Sequence, residues 1–411
     1  MTSSTALPAT HQPVPKGFAP LIAILTAIGP FSISMYLPAF SDISTSLGTT
    51  PIEVQKTLAA YLVPFAFMML WHGSISDAIG RRKVILAGLL VYTLAGLICL
   101  FAQNILMLSL GRALQGMAAG AGMSVGRATV LDLLKGAAAQ RLMARISMLF
   151  ALAPAISPLL GSLLVTAFGW RAVFVFLATL GGGLLFAVWR LLPETLAPEN
   201  RQPFRAGPLL RAYGQALRLP KFTCLCLALA LSVNGAMIYM LSAPHFLQAV
   251  ADTRFSSFAW LFLSLGVGMI GGSYVSSRSA GKISPKKTLT RGFAIMLLGC
   301  AINFITVLLL PVGLPQNILA VLIYTFGLAL TMPSLQLMAL EQLPTRRGLA
   351  SSLLGAIQVG TNSITSIVIA PLMWHSATTM SFAMTGYWLT GLLALAISWY
   401  AHRTSTTPSP T

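Results

Sequence analysis

The sequence predicts an all-α polytopic membrane protein with twelve transmembrane helices in two bundles of six. Composition, the recurrence of long apolar windows and the placement of basic residues carry this expectation. The 411 residues are 56% hydrophobic and 8% charged, with a mean hydropathy of +0.81. A water-soluble domain holds about 25% charged residues, so this chain is built for lipid. The formal charge of +18 comes from 26 Lys and Arg against 8 Asp and Glu. In a soluble protein that balance points to nucleic acid. Here the positions of the charges decide otherwise.

Residues 1–16 are rich in Pro, Ser and Thr and lack an apolar core, which predicts a short disordered cytoplasmic tail and no cleavable signal peptide. A helix needs about 20 apolar residues to cross the hydrocarbon layer. Windows of that kind fall at 17–40, 55–73, 84–102, 105–130, 146–167, 172–192, 222–246, 258–277, 288–310, 317–340, 349–372 and 380–401. The polar stretch 193–221 divides them six and six. The expected organisation is an N-terminal bundle at 17–192, a cytoplasmic linker at 193–221, a C-terminal bundle at 222–401 and a cytoplasmic tail at 402–411.

Cytoplasmic loops collect Lys and Arg. With the N-terminus inside, 21 of the 26 basic residues fall on the inner side and three, Lys56, Arg171 and Arg254, on the outer side. The remaining two, Arg112 and Arg127, lie within the fourth helix. Both termini are therefore expected in the cytoplasm, and the basic charge needs no nucleic-acid partner. Cys99, Cys224, Cys226 and Cys300 all sit in apolar runs, which disfavours a disulfide framework and a thiolate metal site. No metal or cofactor is expected. Without an Asp, Glu or His pair at membrane depth, the chain does not read as an enzyme.

Between the second and third windows lies Gly73-Ser-Ile-Ser-Asp77-Ala-Ile-Gly80-Arg81-Arg82-Lys83, too polar for either. A positive-inside loop accounts for the basic triplet but not for the placed Asp77 or for the two glycines. In the fourth helix, Arg112 of Arg112-Ala-Leu-Gln115-Gly116 stands about seven residues, roughly 11 Å of rise, from the outer end. An ionisable residue that deep faces a water-filled cavity or a partner. The rival reading is a structural arginine bonded to backbone carbonyls. Arg127 is nearer the inner end and reads as a snorkelling residue. Gly116, Gly120, Gly122 and Gly126 allow close helix approach. The fifth helix carries Pro154, Pro158 and Gly161, which remove ladder hydrogen bonds and admit a neighbour.

Two further stretches stand out: Met35-Tyr36-Leu37-Pro38-Ala39 at the outer end of the first helix, and Gly169-Trp170-Arg171 followed by Pro193-Glu194-Thr195-Leu196. Together with the hinge, Arg112 and the fifth-helix motif, they resemble the major facilitator superfamily. Within it they resemble the bicyclomycin and chloramphenicol resistance branch of the twelve-helix drug:proton antiporters. The resemblance covers essentially the whole chain and is firmest over residues 30–200. The second half matches by helix count and loop charge, and its counterpart of the hinge, Ser277-Arg278 to Lys286-Lys287, has no acid.

The resemblance implies a transporter in the bacterial inner membrane, working by alternating access as a monomer, that exports drug-like small molecules in exchange for protons. It implies that Asp77 caps the positive end of helix eleven, near Gly348 to Ser352, as a breakable latch. It pairs Arg81 with Asp132 at the inner end of helix four, and makes Gly73, Asp77, Gly80, Arg81, Arg82 and Asp132 a gating set. It also gives Arg112 a part in substrate or proton coupling, and Pro154, Pro158 and Gly161 the place of the antiporter motif.

One departure matters. Ser34 stands where that branch commonly carries an aspartate. Of the eight acids, Asp42, Glu53 and Asp252 fall at the outer face, and Asp77, Asp132, Glu194, Glu199 and Glu341 at the inner one. No carboxylate lies in the middle of a helix, where a proton carrier is expected. Coupling then falls to His72, to Asp42, or to the substrate itself, or is weak or absent. Arg112 biases the cavity towards neutral, zwitterionic or anionic solutes. The alternative function is export or facilitated movement of a neutral or anionic metabolite, such as an amino acid or sugar derivative. A midplane cavity between the halves would be lined by Ser34, Tyr36, Tyr61, Arg112, Gln115, Asn234, Tyr239, Gln336, Gln358 and Asn362. Met35, Met237 and Met240 would supply an adaptable apolar wall.

Overall fold

The structure is a computed structural model and describes residues 17–134, 142, 146, 153, 156–250, 255–279, 282–309 and 314–404. The expected tail 1–16, Pro154, Asp252, Arg254 and residues 405–411 lie outside the described residues. Each of the twelve predicted windows contains helix, and no strand occurs among the described residues. Helix α1 (Phe18–Tyr36) passes through a 3-10 turn at Leu37–Ala39, imposed by Pro38, into Phe40–Ser46. Then come α2 (Pro51–Ile79), α3 (Arg81–Leu100), α4 (Ile105–Leu133), α5 (Ile156–Phe168) and α6 (Arg171–Leu191). The second six are α7 (Pro220–Val250), α8 (Phe255–Ser279), α9 (Pro285–Leu309), α10 (Leu314–Leu340), α11 (Arg347–Ile364, continued by a π-turn at Thr365–Ile369 and by Ala370–Met373) and α12 (Ala377–Thr404).

Ten of these segments are long and apolar enough to cross a bilayer. The other two are α4, which has the length at 29 residues but carries Arg112 and Arg127, and α5, of which the described residues form the continuous apolar run Ile156–Phe168. Large apolar side chains such as Phe67, Phe168, Phe186 and Leu309 are exposed on the outside of the bundle, where lipid tails meet them.

Local chemistry sets the helix ends. Thr50 and Glu53 form a reciprocal capping box with Pro51 at the first helical position, so α2 begins four residues before the predicted window. Asn104 caps α4 by accepting the Met107 N–H at 2.9 Å. The hinge is shorter than its composition implied. Gly73 to Ile79 continue α2, and the chain reverses at Gly80 alone, with φ 108°, before α3 starts at Arg81. Two contacts explain this. Asp77 and Arg81, four residues apart on either side of Gly80, form an ion pair, and the Glu194 carboxylate caps α3 by accepting the Arg81 N–H at 2.8 Å. A Cβ at Gly80 would collide with that carboxylate, so both the conformation and the space require glycine.

In the first half α4 packs between α1, α2 and α3, and α3 also meets α6. In the second half α10 packs on α8, α9 and α7, and α12 on α7 and α9. Across the halves, α2 runs along α11, and α7 touches the Leu37–Ala39 turn. Lipid tails are as apolar as leucine, so close backbone approach must supply the packing energy. Gly116 does this for α2 against α4: a Cβ there would enter the Tyr61 carbonyl.

Candidate functional site

Arg112 is fully buried in α4, between the rings of two other helices. Its guanidinium carbon lies 4.5 Å from the Tyr36 ring centroid of α1 and 4.3 Å from the Tyr61 ring centroid of α2. One guanidinium NH2 group donates to Gln115 Oε1 at 3.0 Å. The Nε and the other terminal nitrogen have no hydrogen-bond partner. Among the described residues no backbone carbonyl receives this arginine, so the rival structural reading lacks its contacts there. The rings are held from behind. Tyr36 and Thr57 hydroxyls are 2.6 Å apart, and the Tyr61 hydroxyl donates to the Gly29 carbonyl at 3.1 Å. Gly161 of α5 lies against the Met35 carbonyl, next to Tyr36, and Pro158 is buried a turn earlier. Each desolvated cation–π contact contributes about 2 kcal/mol. A cation with two uncommitted donors and aromatic faces beside it suits an acceptor-bearing, partly aromatic or anionic solute.

The other predicted lining residues form separate groups. Ser34 is buried and donates to the Met240 sulfur at 3.8 Å, joining α1 to α7. Asn234 of α7 donates to Thr361 at 3.0 Å and accepts from Thr365 at 2.5 Å, and Thr365 also meets the Tyr387 hydroxyl of α12 at 2.6 Å. Tyr239 accepts from Asn303 of α9 at 2.7 Å, inside the second half. Gln336, Gln358 and Asn362 are half-buried, and the Asn362 side-chain oxygen has no partner.

Both ends of the seam between the halves are in contact. At the end opposite the basic loops, Gln55 of α2 donates to Ser366 Oγ at 2.9 Å, to the Ser366 carbonyl at 3.2 Å and to the Leu241 carbonyl at 3.4 Å. This latch was not anticipated, because Gln55 lay at the edge of its apolar window. The π-turn in α11 is where the two networks meet. Thr365 faces α7 and α12, whereas Ser366 faces α2. Gln55→Leu should loosen this end. With a net value of about 1.4 kcal/mol for the lost bonds, a Met240→Cys thiol in a cysteine-free background should react about tenfold faster with a polar reagent. An unchanged rate would show that these bonds do not hold the end shut.

At the basic end, Arg81 is the hub. Its guanidinium meets Asp77 at 2.6 Å, Asp132 at 3.1 Å and the Ser76 hydroxyl at 2.5 Å. Asp132 also accepts from the Thr195 hydroxyl at 3.1 Å, and Arg82 donates to the Trp189 carbonyl of α6 at 2.6 Å. The expectation for Asp77 differs from its position here. Its carboxylate turns into Arg81, and Arg346, the N-cap residue of α11, makes no side-chain capping bond. A full positive charge four residues away is a stronger partner than the half charge of a helix end. Gly73 itself lies where α2 passes Ser352 of α11 and Ser124 of α4. His72 is buried against Gly120 of α4 with no partner on Nδ1, whereas Asp42 is exposed at the opposite end.

A buried intramembrane arginine in a two-part helical bundle, whose halves meet along α2 and α11, is the arrangement of a membrane transporter. The chain belongs to the Major Facilitator Superfamily, whose family model matches residues 22–365. It is similar to the bicyclomycin resistance protein homolog of Haemophilus influenzae, 26% identical over 88% of this chain and 91% of that one. It is 30% identical to a chloramphenicol resistance protein of Pseudomonas aeruginosa over 70% of this chain and 69% of that one. Multidrug resistance protein D of Escherichia coli is 26% identical over 84% and 87% of the two chains. These relatives place the chain in the bicyclomycin and chloramphenicol resistance branch, as an integral inner-membrane protein. Among solved structures, a bacterial homolog of the human lysosomal transporter Spinster, inward-facing and unoccupied, shares the fold with a TM-score of 0.69. It is 16% identical and covers 97% of this chain and 100% of that one.

Proposed function

We propose that this protein exports drug-like small molecules across the inner membrane by alternating access, with both termini cytoplasmic and the bundles 17–192 and 222–401 rocking about the linker 193–221. The observation that carries this reading is Arg112, buried between Tyr36 and Tyr61 with two donors uncommitted. Substrate engages those donors and the aromatic faces once the seam opens. The Gln55–Ser366 bonds close one end, and the α2–α11 contact beside Arg81, Asp77 and Asp132 closes the other. The names of the relatives support drug-like cargo, and the protein acts as a monomer in this reading.

Coupling to protons is the finer part of the proposal. One observation favours the alternative of a neutral or anionic metabolite moved with weak or no coupling: the seven carboxylates among the described residues lie near helix ends or in loops. Two measurements separate the readings. A susceptibility panel on overexpressing cells should show raised tolerance to at least one compound, and no shift for any compound favours the metabolite. In inverted vesicles, accumulation of that compound should collapse when the pH gradient is dissipated. Accumulation that persists would remove proton coupling and leave export standing.

A further inference from the structure

Besides a 3-10 turn at Pro198–Asn200, the linker carries an α-helix, Ala206–Leu217, where its polar composition predicts plain connection. Its buried face carries Tyr213, 6% exposed, and Ala216. The Tyr213 hydroxyl donates to the Leu70 carbonyl of α2 at 2.8 Å, and the helix that carries it also packs on α11 of the other half. The helix therefore bridges the two halves on the basic side of the seam, close to where Gly73 passes Ser352.

The rest of the helix faces outwards, and its pattern is not that of a solvated connector. Leu210 and Leu217, 53% and 45% exposed, are seven residues apart and so form one stripe. Arg211 and Arg218, both exposed, form a second stripe beside it, and exposed Arg205 precedes the helix. Within 193–221 five basic residues face two acids, and one of those acids, Glu194, is committed to capping α3. The linker is also continuous with the lipid-facing surface. Phe204 packs on Trp71 of α2 at 6.0 Å, and Trp71 on the exposed Phe67 at 5.8 Å. Tryptophan is a preferred residue of the membrane–water interface, which suits Trp71 at the junction of the linker and the lipid-facing surface.

We propose that helix Ala206–Leu217 is a docking surface for anionic phospholipid headgroups, and that its occupancy steadies the α2–α11 seam through Tyr213. Leu210 and Leu217 enter the acyl boundary while Arg205, Arg211 and Arg218 meet the phosphates, the division of labour of an interfacial amphipathic helix. A soluble acidic partner would satisfy the arginines but leave the leucine stripe in water, so the bilayer is the occupant. Each basic residue near an anionic surface contributes about 1 kcal/mol, so removing two weakens docking on the order of 25-fold.

The test is hydrogen exchange on the full-length protein in nanodiscs of phosphatidylethanolamine, with and without phosphatidylglycerol. It needs no substrate, so its outcome stands apart from the export reading. Phosphatidylglycerol should slow exchange both in 206–217 and in the first turns of α11. The R211Q/R218Q pair, both surface changes, should abolish both effects. Tyr213→Phe should keep the protection of the linker helix and lose that of α11. Equal exchange in the two lipids would overturn the docking site. Protection of α11 that survives Tyr213→Phe would overturn the coupling.

Discussion

Replacing Arg112 by methionine should leave the protein at least as resistant to thermal unfolding in detergent as the parent, while export falls to background. The desolvation of an unpaired guanidinium costs several kcal/mol, and this one has a single hydrogen-bond partner, Gln115. Two cation–π contacts return about 2 kcal/mol each. On that comparison the fold keeps the charge at a loss, or at best breaks even. A residue retained against stability at membrane depth is retained for what it binds. Arg112→Lys sharpens the point, because it preserves the charge but not the planar stack or the fork of donors. Its export should drop at least about tenfold, the equivalent of losing roughly 1.4 kcal/mol from one stacked contact. If Arg112→Met both melts early and loses export, the arginine is holding the helices together and the substrate role falls.

The second large effect is expected at Arg81. Arg81→Ala leaves Asp77 and Asp132 without their shared cation, beside a helix start that Glu194 already caps. Breaking a fully buried pair costs about 3–5 kcal/mol, and partial exposure of both carboxylates brings the expected loss to about 2 kcal/mol. The two pairs should not contribute equally. Asp77 is the closer partner at 2.6 Å, but its side chain is 42% exposed against 24% for Asp132. Water and salt screen the exposed pair more, so a double-mutant cycle on unfolding should give a larger coupling for Arg81–Asp132 than for Arg81–Asp77. The reverse order would mean that contact distance outweighs screening at this turn. Asp77→Asn should keep the fold and slow export, because it removes the more exposed of the two Arg81 pairs beside the α2–α11 contact.

Much of this protein is legible residue by residue. The apolar windows, the basic bias of one set of loops and the depth of Arg112 follow from the cost of polar groups in hydrocarbon, which acts on composition directly. The pairing of Arg81 with Asp132 comes from the family resemblance and not from spacing, and the structure has that contact at 3.1 Å. Other features depend on distant segments meeting. Gln55 acquires its role only because α11 makes a π-turn that points Ser366 at it, 311 residues away. Tyr213 matters only because Leu70 of α2 accepts its hydrogen bond while its helix packs on α11 of the other half. The placement of Asp77 is a competition between a helix end and a guanidinium, and geometry settles it in favour of Arg81.

By itself the sequence determined that the chain spans the membrane many times, which loops are basic, and that a lone arginine lies at depth with no carboxylate to match it. Those are one-dimensional consequences of hydrophobicity and charge. Only the tertiary structure decided what surrounds that arginine, where the two halves touch, and that the eleven-residue hinge is the end of one helix and the start of the next, parted by a single glycine. Contacts between helices far apart in the chain carry no periodic signal, and side-chain packing chooses among partners that the sequence leaves equally available.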